Sequence, residues 1–98
     1  MTHPNAGDVR DDPAGRRYEL ALGREAAFAA YDLAGETITF THTVVPPDRR
    51  GEGIATLVVR AALDDARRRG LGVVPQCPFV AAYINAHPET QDLLAAQD

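Results

Sequence analysis

Cys77 is the only cysteine in the chain, and it stands where an apolar run, Leu71 to Gln76, gives way to Pro78. A thiol placed just before a helix start meets the positive end of the helix dipole, which stabilises its thiolate. Such a sulfur can act as a nucleophile or as a proton donor and acceptor. The competing role is packing, since a free cysteine is among the most buried residue types. His42 has the ordinary titration range of a base. It lies in step with Ile38, Phe40 and Val44 in a β-rich run, so the expectation is a core-facing, structural histidine. The third group is the loop Arg49-Arg50-Gly51-Glu52-Gly53-Ile54-Ala55. Glycines there let backbone amides at a helix start converge on one anion, with arginines at the rim; a pyrophosphate suits that geometry. The plain alternative is a tight turn and a helix cap.

The elements that must position these groups can be read from patterning. Arg17 to Leu22 alternates and predicts a strand ended by Gly23; Glu25 to Leu33 predicts a second, with Ala34-Gly35 as a hairpin turn. Thr37 to Val45 is the clearest strand, nearly all β-branched or aromatic, and Pro46-Pro47 ends it. A helix over 53–69 follows, with Ile54, Leu57, Val58, Ala61, Ala62 and Leu63 as its apolar face and Gly70 as its stop. Leu71 to Gln76 then returns as a strand parallel to Thr37–Val45, through a right-handed crossover. Pro78 to Ala86 predicts a short helix, and Glu89 to Ala96 a last helical turn or two. The fold class is therefore mixed α/β (α+β): three antiparallel strands feed one parallel strand–helix–strand pair, flanked by two or three helices.

Composition narrows the function classes. The 98 residues, 10.5 kDa, make one domain. Hydrophobic residues are 45%, charged residues 24%, and mean hydropathy is -0.24, as in an ordinary folded globule. A net charge of -4 argues against nucleic acid or an anionic membrane as partner. Every basic side chain is arginine, so a Walker-type or Schiff-base lysine is excluded. One cysteine cannot build a disulfide or a multi-cysteine metal site, and no metal is expected; a lone thiol fits a reducing cytoplasm. No apolar stretch reaches the roughly 20 residues of a membrane span. Residues 1–15, rich in Pro, Gly and Asp, predict a disordered tail, leaving 16–98 as the folded domain.

Arg50-x-x-Gly53-x-Ala55 resembles the [Q/R]-x-x-G-x-[G/A] signature of the GNAT superfamily of acyl-CoA-dependent N-acetyltransferases. His42-Thr43-Val44-Val45-Pro46 before the loop is similar to the H-T-x-V-P run of a very small, single-domain GNAT-like subfamily. Cys77-Pro78-Phe79-Val80 and Tyr83-Ile84 also resemble that subfamily. The likeness spans roughly 17–94; Pro46-Pro47 adds one residue to a stretch that is often shorter.

The resemblance implies a minimal GNAT-like fold with acetyl-CoA in the cleft between the parallel strands. Amides of Arg50, Gly51, Glu52, Gly53, Ile54 and Ala55 would hold the pyrophosphate, with Arg49 at the rim. Val44 and Val45 would pair with the pantetheine arm. Cys77 would be the catalytic group, with His42 a further candidate and Tyr83 a weaker one, its position suiting packing as well. The acceptor would be an amine, small or as large as a protein tail, acetylated by a cytoplasmic enzyme that is a monomer or weak dimer. The alternative is a CoA-binding or protein-interaction module with little or no transfer.

Overall fold

A computed structural model describes residues 4–95. Five strands form one sheet in sequence order: β1 (Arg10–Asp12), β2 (Arg17–Leu22), β3 (Glu25–Ala34), β4 (Thr37–Val44) and β5 (Gly72–Pro75). The first four run antiparallel to their neighbours, and β5 lies parallel to β4. Helix α1 (Ile54–Arg68) makes the crossover between β4 and β5, and α2 (Pro78–Ala86) follows β5. Short 3-10 turns lie at Ala6–Asp8, Pro47–Arg49 and Pro88–Leu93. The mixed sheet, crossover and flanking helices are those expected.

Two expectations are corrected. The segment expected as a tail contributes β1, an edge strand whose Asp11 lies opposite Tyr18. Tyr31 donates a hydrogen bond to Asp11 at 2.6 Å, and Arg69 reaches the same carboxylate at 3.3 Å. Composition gave no sign of this strand, because three residues paired at an edge need little apolar content. Residues 1–3, including His3, lie outside the described part. The buried stripe of α1 is also turned relative to the expected one. Ile54, Val58, Val59, Ala62, Leu63 and Ala66 are inside, while Leu57 and Ala61 sit at the margin. Helical alanines are small enough to sit on either side of a boundary, so the sheet decided.

All buried sheet residues occupy one face. Tyr18 and Leu20 of β2, Ala27, Ala29 and Tyr31 of β3, Ile38 and Phe40 of β4 and Val73 of β5 pack there under the helices. Tyr18, Tyr31 and Phe40 form an aromatic cluster with centroids 5.4–6.4 Å apart. Each fully buried Val, Leu or Ile of α1 contributes roughly 1.5–3 kcal/mol as an upper estimate. The opposite face, carrying Arg17, Glu19, Phe28 and Ala30, stays partly open.

A bulge in β4 decides which side chains reach the site. Tyr31 pairs with Phe40, but Ala30 pairs with His42, so one extra residue, Thr41, is inserted in β4. Because side chains alternate, one inserted residue reverses every position after it. Ala29, on the covered face, therefore lies opposite Thr43, whereas His42 and Val44 fall opposite Ala30 and Phe28 on the open face. The expected grouping of His42 and Val44 with Ile38 and Phe40 ends at the bulge. His42 is exposed and stands edge-on to Phe28, with ring centroids 6.4 Å apart.

Candidate functional site

The two parallel strands part at Phe40 and Pro75, the last residues they pair. Beyond that point β4 runs on to Val44, while the chain after β5 turns into α2. The Cys77 amide bonds the Phe40 carbonyl at 2.9 Å and closes the base of the opening. Thr43 and Val44 therefore carry a strand edge with no strand beside it.

Across the opening lies the start of α1. Gly53 caps the helix with a positive φ of 76°, and Gly51 turns at 84°; a side chain at either would be strained. A Cβ at either position would meet no atom of the protein, so backbone angle, not crowding, calls for glycine. No side chain caps α1, and its first turn holds no acidic residue. The first amides of a helix have no intrahelical acceptor. Here they face the opening uncapped, with the positive end of a 15-residue helix behind them.

Two adjoining cavities fill the opening. One, about 330 Å³, is lined by Thr43, Val44, Val45, Arg50, Ala55 and Phe79. The other, about 200 Å³, runs from Val45 and Phe79 past Arg49, Arg50, Gly51 and Gly53 to Thr56. Arg50 lines both. It makes no ion pair among the described residues, whereas Arg49 binds the Glu52 carboxylate at 3.1 Å. The two expected rim arginines thus divide: Arg50 offers its charge to the cleft, and Arg49 is shared with Glu52. Glu52 itself does not line the cleft.

Cys77 lies one step behind this wall. It is 3% exposed and sits at the N-cap of α2. Its Sγ is 3.4 Å from the hydroxyl of Thr43, which the bulge has turned to this side. Burial alone would push the thiol up. The Thr43 hydroxyl, the Val80 and Phe79 amides and the Thr43 amide outweigh it and hold the thiol below its ordinary value. The helix-start amides act without a formal capping bond.

The other candidates lie elsewhere. His42 is on the open face. Tyr83 stacks on His87, centroids 3.9 Å apart, and His87 Nδ1 meets the Tyr83 carbonyl at 2.7 Å. Burial raises the Tyr83 phenol, and its ring does not line the cleft. The residues not singled out from sequence for the site are Thr43, Phe79 and Thr56. Thr43 and Phe79 stand within the quoted motifs, but only the bulge and the α2 start show that they form the wall.

Residues 17–93 match the family model described as GCN5-related N-acetyl-transferase. The chain belongs to that family. GNAT relatives by sequence include "Protein NATD1" of Mus musculus, 31% identical over 88 residues, which are 87% of this chain and 80% of that protein. The protein of the same name from Homo sapiens is 31% identical, covering 87% and 78%, and that of Xenopus tropicalis 30%, covering 87% and 81%. Membership of the GNAT family agrees with the mixed sheet, the glycine loop before α1 and the parting of β4 from β5. The donor set also suits the group such a family uses: uncapped amides and an arginine without an ion pair among the described residues for a diphosphate, and an unpaired strand edge for an amide-bearing arm.

Proposed function

We propose that this protein is an acetyl-CoA-dependent N-acetyltransferase acting on an amine. The observation that carries the reading is the uncapped start of α1 facing the unpaired edge of β4, with Arg50, which has no ion pair among the described residues, between them. Amides of Gly51 through Ala55 and the Arg50 guanidinium would hold the diphosphate. Val44 and Val45 backbone would pair with the pantetheine amides, as an added strand does. Bound acetyl-CoA would supply an activated acyl carbon. Cys77 is the acid–base or nucleophilic group in this reading, its thiolate favoured by Thr43 and the start of α2. The open sheet face leaves room for a bulky acceptor such as a protein tail. The assignment to the cytoplasm rests on the single cysteine, which has no second cysteine in the chain to bridge to; no helix among the described residues is long and apolar enough to cross a membrane.

Titration calorimetry with CoA and mass analysis of an acetyl-CoA incubation test the proposal together. CoA binding with acetyl transfer to an added amine, lost in Cys77→Ala, is the expected outcome. An acetyl adduct on the Cys77 peptide identifies the nucleophile; transfer without an adduct identifies the acid–base role. Absence of CoA binding to the folded protein would sink the assignment.

One observation favours the alternative, a CoA-binding module without efficient transfer. None of the residues lining the cleft is a side chain with the ordinary pKa of a base: Cys77 is behind Thr43, and His42 and Tyr83 lie elsewhere. CoA binding with no turnover above that of Cys77→Ala would decide for it.

A further inference from the structure

The Thr43 hydroxyl touches both Cys77 and the cleft. Of the residues lining the larger cavity only Thr43 and Arg50 have polar side chains, and Thr43 Oγ1 is also the group 3.4 Å from the buried Cys77 Sγ. The hydroxyl has one proton and two lone pairs. It is on this side only because the Thr41 bulge reverses β4 after Phe40.

We propose that Thr43 is the positioning residue of the site: its hydroxyl holds Cys77 in place and couples the sulfur's protonation to the hydrogen-bonding character of the cleft wall. This rests on the acetyl-CoA reading. When the sulfur is protonated, S–H donates to Thr43 Oγ1, and the threonine proton is free to be donated into the cleft. When the sulfur is ionised, Thr43 donates to the sulfur and turns only lone pairs outward. A thioester carbonyl and a departing thiolate are both acceptors, so the first state meets them and the second does not. The sulfur is screened from other switches. From β4 it meets the Thr43 hydroxyl and amide, and from α2 the Phe79 and Val80 amides. Of the titratable groups on the surrounding elements, His42 is on the opposite face of β4 and Tyr83 is stacked on His87. Arg50 lines both cavities but is not among the groups that meet the sulfur, and the residues of α1 buried against the sheet are apolar.

The test uses the single cysteine as its own probe. Thiolate absorbance is followed against pH in the intact protein, in Thr43→Val and in Thr43→Ser, with Cys77→Ala subtracted to remove the tyrosines. Thr43→Val keeps the shape and removes the hydroxyl. It should leave roughly tenfold less thiolate at a fixed pH, and Thr43→Ser should restore the original curve. Thr43→Ala gives the same comparison if valine unfolds the site. Coincident curves for Thr43→Val and the unaltered protein would overturn the proposal; a packing residue would lower the melting temperature and leave the titration in place. A parallel titration with CoA separates the two readings. If no variant binds CoA, the acetyl-CoA reading fails while the thiol curves still report on the Thr43–Cys77 coupling. If CoA binds all variants alike and the thiol curves do not differ, the coupling alone is lost.

Discussion

The two ends of α1 are built in opposite ways. At the C-terminal end a network ties the polar groups together: Tyr18 donates to Asp65, Arg68 and Arg69 bind the same carboxylate, Arg69 also reaches Asp11, and Tyr31 donates to Asp11. At the N-terminal end the amides are uncapped, the glycines carry positive φ, and Arg50 is without an acid partner among the described residues. Buried polar groups that are satisfied lock a structure, whereas donors without an intrahelical acceptor around an opening can be met by water or by a ligand. A cavity of about 350 Å³ also lies at the C-terminal end, between α1 and the Ala6–Asp8 turn, and two of its acids, Asp11 and Asp65, are already bound to tyrosine and arginine.

The contrast makes the two ends separable by mutation. The largest effect should come from Gly53→Asp, which sets a carboxylate against the diphosphate. CoA affinity should fall by about 100-fold in calorimetry, or about 2.7 kcal/mol. The left-handed backbone should lower stability by only roughly 1–2 kcal/mol. Equal CoA affinity in a folded variant would break the contrast.

Asp65→Ala should do the reverse. It leaves the buried Tyr18 hydroxyl without its acceptor, and denaturant unfolding should show a loss of about 2–3 kcal/mol. CoA binding should not change; a large drop in affinity would mean that the two ends are not independent. Removal of residues 1–12 takes away Asp11 and β1, and should cost about 1–2 kcal/mol by the same measurement. A truncated chain of full stability would show that the edge strand adds nothing.

The pH response sharpens the same picture. Burial alone would raise the Asp65 carboxyl, but hydrogen bonds from Tyr18, Arg68 and Arg69 outweigh it and hold it below the usual carboxylate range. The stability this contributes is complete above the unfolded carboxylate value, about 3.9. It is lost as pH falls through the lower folded value. Asp65→Asn should therefore flatten the acid limb of the stability curve, and an unchanged limb would assign it to other carboxylates. The smallest effect belongs to Arg68→Ala. Its ion pair is on the surface, 74% exposed on the arginine side, and should be worth less than about 1 kcal/mol.

Local chemistry was enough to read most of the elements. The β-branched run Thr37–Val44 could be little else than a strand, Pro46-Pro47 had to end it, and the apolar period with Gly70 bounded α1. A strand, a crossover helix and a second strand then required a parallel pair, and the glycine loop between them fell at a helix start. These follow from backbone sterics and side-chain period, which act within a few residues. The tertiary structure decided the rest. It set the one-residue bulge at Thr41, because that depends on how β3 and β4 pair across the sheet and not on either strand alone. That bulge sent His42 to the open face and brought Thr43 to Cys77. Tertiary contacts also drew Arg10–Asp12 into the sheet, since the carboxylate of Asp11 finds Tyr31 and Arg69 only when residues 20 and 58 positions away are already in place. Contacts at that separation leave no periodic trace in the sequence, and they determine which side chains share a site.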